Sequence, residues 1–372
     1  MLTFVMVSSK GKIVLSVSND LFSDQRVHKV CCSLKEAGYE VELVGRFLKG
    51  ISKDLKRTYP SRRFHLWFNK GPLFYANLNI RLFFYLLSSK ANIFVANDLD
   101  TLPANYLAAK LKGKKLVFDS HEFFTEVPEL ANRSRTRGIW ERIEAYFLPK
   151  VKHAYTVSPS IADHYKKRYG IQMRLVRNFP YEDKSNSLPT QKEDVVIYQG
   201  ALNVQRGLEE LIEAFSYDQL KDAQLWLFGS GDIEDELKLF CRELELTERV
   251  RFFGRLDPKD LRKETLKAKI GVSIEHIDIL NYRYALPNKV FDYIQAKVPV
   301  LYSNMEDLAQ LLDRENLGEK LRSHEPKEIA NQLYAMLKSE SYSTWQQNCV
   351  QASKKFSWEN EESELLKIFN EL

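Results

Sequence analysis

The chain has 372 residues, 44% of them hydrophobic and 28% charged, with 15 Gly and 12 Pro. That composition excludes collagen-like, low-complexity and wholly disordered chains, and at about 150 residues per domain it predicts two domains. The net charge of +5 conceals a split: residues 1–182 hold 30 basic and 16 acidic side chains, and the remainder holds 25 and 34.

Lys12-Ile13-Val14-Leu15-Ser16-Val17 reads as a buried strand, and Gln25 to Ala37 as a helix closed by Gly38. YEVELVGR is the next strand, followed by ANIFVAND and KKLVFDSH with a helix at 104–112 between them. Residues 154–157 add a strand and 160–169 a helix. Segment 72–87, PLFYANLNIRLFFYLL, is strongly apolar and reads as a core helix, with a membrane-surface helix as the alternative. The clusters Lys53–Arg63 and Arg133–Arg137 read as basic loops. From 180 to 194 the apolar period disappears and two prolines interrupt the chain, which predicts a linker. After it come strand DVVIYQG, helix 207–216, strand AQLWLFGSG, helix 233–244 and strand VRFFG. IGVSI and VPVLYS then flank the helix NKVFDYIQA, and FSWENEESELLKIFNEL ends the chain as an amphipathic helix. Strand and helix in regular alternation argue for an α/β protein of two doubly wound, Rossmann-like domains. The expected bounds are 1–182 and 183–355, with 356–372 crossing back onto the first domain.

Cys31, Cys32, Cys241 and Cys349 form no CxxC pair and no zinc spacing, which fits a reducing compartment. Leu2 to Val7 is too short for a signal segment, and no run approaches the roughly 18 apolar residues of a membrane span. A cytoplasmic protein is expected. A basic first half suits an anionic membrane surface or a phosphorylated substrate. No recognised nucleic-acid motif accompanies the charge, so no nucleic-acid partner is expected.

In doubly wound sheets, ligands sit outside the carboxyl ends of the strands, and four segments fall there. In ALPNKVFDYIQAKVPVL, Pro287 opens a helix whose first turn holds Asn288 and Lys289, with Asp292 one turn on. A helix start with a cation attracts phosphate, and a nearby carboxylate suits ribose hydroxyls. In YQGALNVQRGLEELIEAF, a strand ends at Gly200 and Arg206 precedes the next helix. FDSHEFF brings His121 and Glu122 to a strand end. SNDLFSDQRV, with Asn19, Asp24 and Arg26, forms the first strand-to-helix loop and lacks G-x-G-x-x-G, which argues against a nicotinamide or flavin enzyme. Walker, HExxH and GxSxG motifs are absent from the sequence.

Taken together and in this order, these segments resemble the retaining glycosyltransferases of family 4, which have the GT-B fold. The resemblance rests on SNDLFSDQRVHKVCCSLKEAGYEVELV, ANDLDTLPA, FDSHE, TVSPSIADHY, VRNFP, YQG, QRGLEELIEAF, LFGSG, VRFFG, LPNKVFDYIQAKVPVL and the closing FSWE, and spans nearly the whole chain. It implies Arg206 on the donor diphosphate, Asp292 on the ribose, and Gly200, Asn288 and Lys289 at the nucleotide pocket. His121 is implied to reach the transferred sugar, with His121, Arg206 and Lys289 as the catalytic set. Asn19, Asp24, Arg26 and Glu122 would lie on the acceptor side. The implied donor is a UDP- or GDP-sugar, the implied acceptor a glycan or lipid-linked glycan of bacterial surface polysaccharide or glycolipid synthesis, and no metal or other cofactor is expected. Three positions depart from the family pattern. Tyr284 stands where the first of two glutamates is expected, Ala201 replaces a second arginine, and Leu21-Phe22 replace a glycine pair. A GT-B sugar-nucleotide epimerase and a non-catalytic nucleotide-sugar binder remain as alternatives.

Overall fold

The computed structural model describes residues 9–22, 24–48, 57–127, 130, 133–184 and 192–372. Leu2 to Val7, part of the Lys53–Arg63 cluster and the middle of the expected linker lie outside the described residues. The chain forms two units, Met1–Asn178 with Glu361–Leu372, and Phe179–Asn360.

The first unit is built on β1 (Lys12–Asp20), β2 (Glu40–Arg46), β3 (Ser61–Phe64), β4 (Ile93–Asn97), β5 (Lys115–Ser120), β6 (His153–Thr156) and β7 (Arg174–Leu175). Their order is β3-β2-β1-β4-β5-β6-β7, all parallel, so the winding reverses between β1 and β4. The central strands are buried on both faces, which is why they appear as unbroken apolar runs such as Ile93-Phe94-Val95-Ala96. β3, SRRF, has no such run. It is an edge strand with two exposed residues and charge on it, a pattern that discourages pairing with other chains.

Asp24, expected on the acceptor side, is the N-cap of the helix Gln25–Glu36, and its carboxylate accepts the Val27 N–H at 3.0 Å. The helix Gly71–Ser88 buries Phe74, Leu78, Leu82 and Leu86 at four-residue spacing and leaves Leu73, Ile80 and Phe84 exposed. The core reading therefore holds for one face of it. The basic cluster at Arg133–Arg137, expected as a loop, instead opens the helix Ser134–Phe147, where Arg137 pairs with Glu141 one turn on and with Glu126. The last helix, Trp358–Asn370, carries the chain back to the first unit. There Tyr39 Oη donates to the Phe369 carbonyl at 3.0 Å, and the Arg177 N–H donates to Glu361 at 2.7 Å.

The second unit carries β8 (Val195–Gln199), β9 (Gln224–Phe228), β10 (Val250–Gly254), β11 (Ile270–Ser273), β12 (Val300–Tyr302) and β13 (Gly318–Lys320), again parallel. The order β10-β9-β8-β11-β12-β13 places the reversal between β8 and β11. Apolar clusters cover both faces of the sheet, one including Leu211, Leu225 and Val272, the other Ile197, Phe291 and Val300. The two folds together are those of a GT-B protein.

At the carboxyl ends of β8 and β9 the backbones meet closely. Gly229 has φ +136°, and a Cβ there would lie 1.8 Å from the Gly200 carbonyl oxygen. Gly170, at a helix C-cap with φ +70°, has no atom within 4 Å of such a Cβ. Gly229→Ala is thus expected to destabilise the protein by about 3 kcal/mol or more, and Gly170→Ala by about 1 kcal/mol. Equal losses in denaturant titrations would contradict the close approach.

Candidate active site

In the second unit the polar groups gather where β8 and β11 part, the position at which a doubly wound sheet opens a crevice. The loop after β8 is fixed against the exit of β11. His276 N–H donates to the Gln205 carbonyl at 3.0 Å, and a Cβ at Gly207 would meet the Ile274 carbonyl oxygen at 2.4 Å. Gln205 and Gly207 both have positive φ, 64° and 70°. This contact holds Arg206 over the end of β11, where Arg206 Nη1 donates to Glu275 Oε1 at 3.2 Å. From the other side Lys289 Nζ reaches the same oxygen at 2.5 Å. Lys289 is in the first turn of the helix Asn288–Gln295, as the sequence predicts.

Glu275 has no exposed surface, and its second oxygen accepts from Ser273 Oγ at 2.8 Å. Burial opposes its charge, but Lys289 and Arg206 outweigh it and hold the carboxyl below its usual range. Burial lowers Lys289 to about 8, with Glu275 acting against the fall and Arg206 with it. Each cation also rests on a ring: Lys289 Nζ is 4.1 Å from the Tyr198 centroid and Arg206 Cζ 4.7 Å from that of Tyr282. Two positive groups thus converge on one buried negative one.

The remaining expected donor residues lie around this triad. Gly200 is exposed at the end of β8, and Asn288 is exposed at the helix start. Asp292 is exposed on the same helix and accepts from Gln199 Nε2 at 3.1 Å. Gln199 is itself held by Thr265 Oγ1 at 3.1 Å. Tyr284 caps the short helix Leu280–Arg283.

In the first unit His121 sits just beyond β5. Its Nε2 is 2.8 Å from Asp119 Oδ2, its Nδ1 3.4 Å from Asp98 Oδ2, and its backbone N–H donates to Asp98 Oδ1 at 2.8 Å. Asp98 follows β4 with φ +60°, a left-handed conformation that Asp tolerates better than most residues. Burial alone would lower the imidazole, but Asp119 and Asp98 push it up to about 9, so His121 is a cation at neutral pH. Burial pushes Asp98 up to about 7 and Asp100 to about 6.

Arg26, expected on the acceptor side, is buried instead and donates to Asp119 Oδ1 at 2.9 Å. Its role is to hold the carboxylate that holds His121. Asn19 and Glu122 do border a cavity of about 730 Å3, as do Asp98 and Asp100, with Tyr75 and Trp140 among its aromatic walls. Leu21 is buried and Phe22 half exposed, and the Phe22 N–H is tied to Asp20 at 3.0 Å. Glu275, Asp98 and Asp119 are not among the residues that the sequence singles out. All three stand at or just beyond the carboxyl end of a strand, the same signal that singled out His121.

Two doubly wound parallel sheets, each with polar groups at its switch point, are the architecture of the GT-B fold. More particularly, residues 24–179 match the family model described as Glycosyltransferase Family 4 and residues 181–356 that of Glycosyl transferases group 1, so the chain pairs one domain of each. It is 25% identical over 199 residues to an uncharacterized glycosyltransferase of Methanocaldococcus jannaschii, MJ1607, matching 52% of this chain. The match spans about half the length of that relative. Among solved structures, sucrose-phosphate synthase from Thermosynechococcus elongatus superposes with a TM-score of 0.77 at 16% identity, covering 97% of this chain and 98% of the other. HepE of Anabaena in complex with UDP-glucose superposes at 0.73 with 13% identity, covering 97% and 100%.

The charged cluster around His121 makes stability depend on pH. The histidine's folded pKa, about 9, lies above its unfolded value of 6.5. Its stabilising contribution is therefore full below about pH 6.5 and lost as pH rises through about 9. In denaturant titrations, His121→Ala is expected to cost more stability at pH 6 than at pH 9.5. A loss independent of pH would show that the imidazole is neutral in the folded protein.

Proposed function

We propose that the protein transfers a sugar from a nucleoside-diphosphate sugar, with retention at the anomeric carbon, to a glycan or lipid-linked glycan acceptor. The observation that carries this reading is the convergence of Arg206 and Lys289 at the switch point of the second unit. When the glycosidic bond to phosphate breaks, negative charge grows on the leaving diphosphate and positive charge on the sugar ring. Preorganised cations at the diphosphate stabilise that charge more in the transition state than in the ground state, which is what lowers the barrier. In this mechanism Arg206 and Lys289 take the phosphate oxygens, Asp292 accepts from the ribose hydroxyls, and Asn288 and Gly200 border the nucleotide. HepE, whose structure contains UDP-glucose, supports a uridine donor as the first to be tested.

The cavity of the first unit suits the acceptor. Aromatic walls stack on sugar faces, and Asp98, Asp100 and Glu122 accept from hydroxyls. His121, held by two aspartates, suits the role of a hydrogen-bond donor rather than a base. Work on a lipid-linked acceptor would place the protein at the inner face of a membrane. No helix among the described residues is long and apolar enough to cross one. The outer residues Leu73, Ile80 and Phe84, and the neighbouring Leu107 and Leu111, supply exposed apolar contacts. A cavity of about 500 Å3 lined by Lys110, Lys114, Lys115, Lys150 and Lys152 supplies charge for anionic head groups.

The first test is thermal denaturation with UDP, GDP, ADP, CMP and their sugar conjugates. One nucleotide is expected to raise the melting temperature by mass action. In transfer assays with that donor, Arg206→Ala is expected to reduce kcat by about 100-fold or more, and Asp292→Ala to weaken donor binding by about 10-fold. Near-normal turnover in Arg206→Ala would remove it from the diphosphate. Flotation with vesicles is expected to recover more protein as anionic lipid is added; recovery indifferent to lipid charge would exclude the electrostatic part of membrane binding.

A further inference from the structure

The donor reading assigns Arg206 and Lys289 to a diphosphate but leaves unexplained why a fully buried carboxylate lies between them. Glu275 is not part of any core packing need: it is a charged group with no exposed surface, at the rim of a strand whose neighbours on the sheet are apolar. Removing such a group from water is costly unless strong partners compensate, and here the partners are the two cations of the proposed phosphate site. One carboxylate oxygen, Oε1, receives both Arg206 and Lys289, while Oε2 is fixed by Ser273 Oγ at 2.8 Å. The serine orients the carboxylate, and the carboxylate brings the two cations together.

We propose that Glu275 is a positioning residue of the donor site: it holds Arg206 and Lys289 side by side before ligand arrives and shares them with the diphosphate once it binds. This rests on the donor-site reading above and adds to it a resident counter-charge. The triad carries one net positive charge, so a site meant for a dianion is neither self-repelling when empty nor excessively tight for the released nucleotide. Glu275 also keeps Lys289 an ammonium. The groups facing Lys289 are Glu275 beyond β11, Arg206 in the loop after β8, and the Tyr198 ring on β8; Tyr282, on the helix Leu280–Arg283, bears on it through Arg206. Burial and Arg206 both act to discharge the lysine, and Glu275 alone among them acts against this. Without the carboxylate, Lys289 would lose its proton at lower pH, and the site its second cation.

The test is calorimetric titration of the full chain with UDP-glucose and GDP-mannose between pH 6.5 and 8.5, where neither the diphosphate diester nor the base of either ligand titrates. Wild-type affinity is expected to fall as pH rises through about 8, following Lys289. In Glu275→Gln the fall is expected about one pH unit lower or more, so that binding is within about 3-fold of wild type at pH 6.5 and about 10-fold weaker at pH 8. Glu275→Asp is expected to restore most of the wild-type profile, and Lys289→Arg, which cannot lose its proton, to remove the fall. Superimposable profiles for wild type and Glu275→Gln would overturn the role of Glu275 while leaving the donor site standing. Should Glu275→Gln fail to fold, the Lys289→Arg profile decides: a fall that persists there overturns the proposal. Failure of the wild type to bind any nucleotide sugar at any pH would overturn the donor reading, and this inference with it.

Discussion

Two positive side chains held within hydrogen-bond distance of the same carboxylate oxygen are the constraint around which the second unit is arranged. Arg206 and Lys289 would repel one another beside a buried strand end, and Glu275 turns that repulsion into two attractions. Meeting this condition fixes the local backbone. The loop after β8 must come close to the exit of β11, which requires a glycine at 207, positive φ at 205 and 207, and the hydrogen bond from His276 to Gln205. The helix Asn288–Gln295 must begin beside the same point, so that Lys289 enters from its first turn. The parallel sheet makes this possible, because the reversal of winding between β8 and β11 leaves their carboxyl ends open.

The first unit solves a related problem with the opposite balance of charge. Here one imidazolium is shared by two carboxylates, and one of these, Asp119, is held from behind by Arg26. The chain Arg26–Asp119–His121–Asp98 runs from a buried helix position to the end of β4, adjoining the cavity that Asp98 borders. Asp98 is the soft end of this chain. Its contact to the ring is long, and burial already favours its protonated form. A ligand hydroxyl meeting Asp98 therefore competes with a weak contact and leaves the strong one, to Asp119, intact.

Most of the framework was legible in the sequence because parallel strands buried on both faces leave unbroken apolar runs, and each named run became a strand. The helices Pro258–Thr265, Glu306–Glu315, Pro326–Leu337 and Tyr342–Lys355 were not singled out, and other elements escaped because other forces shape them. β3 is two arginines at a sheet edge, β7 and β13 are two and three residues long, and the helix Ser134–Phe147 begins in a basic cluster that looked like a loop. The placement of Asn288, Lys289 and Asp292 at and near a helix start was legible because a proline precedes them. Asp24 and Arg26 take a helix cap and a buried ion pair, posts that share the sequence signature of a loop residue. Glu275 was missed because its meaning lies in two cations 69 residues before it and 14 after it, which only the folded sheet brings together.

The most direct measurement is a crystal structure of the protein grown with UDP. The account predicts the β-phosphate within hydrogen-bond distance of both the Arg206 guanidinium and Lys289 Nζ, with the ribose hydroxyls turned toward Asp292. A diphosphate bound elsewhere in the second unit, with Arg206 and Lys289 still closed on Glu275 alone, would contradict it.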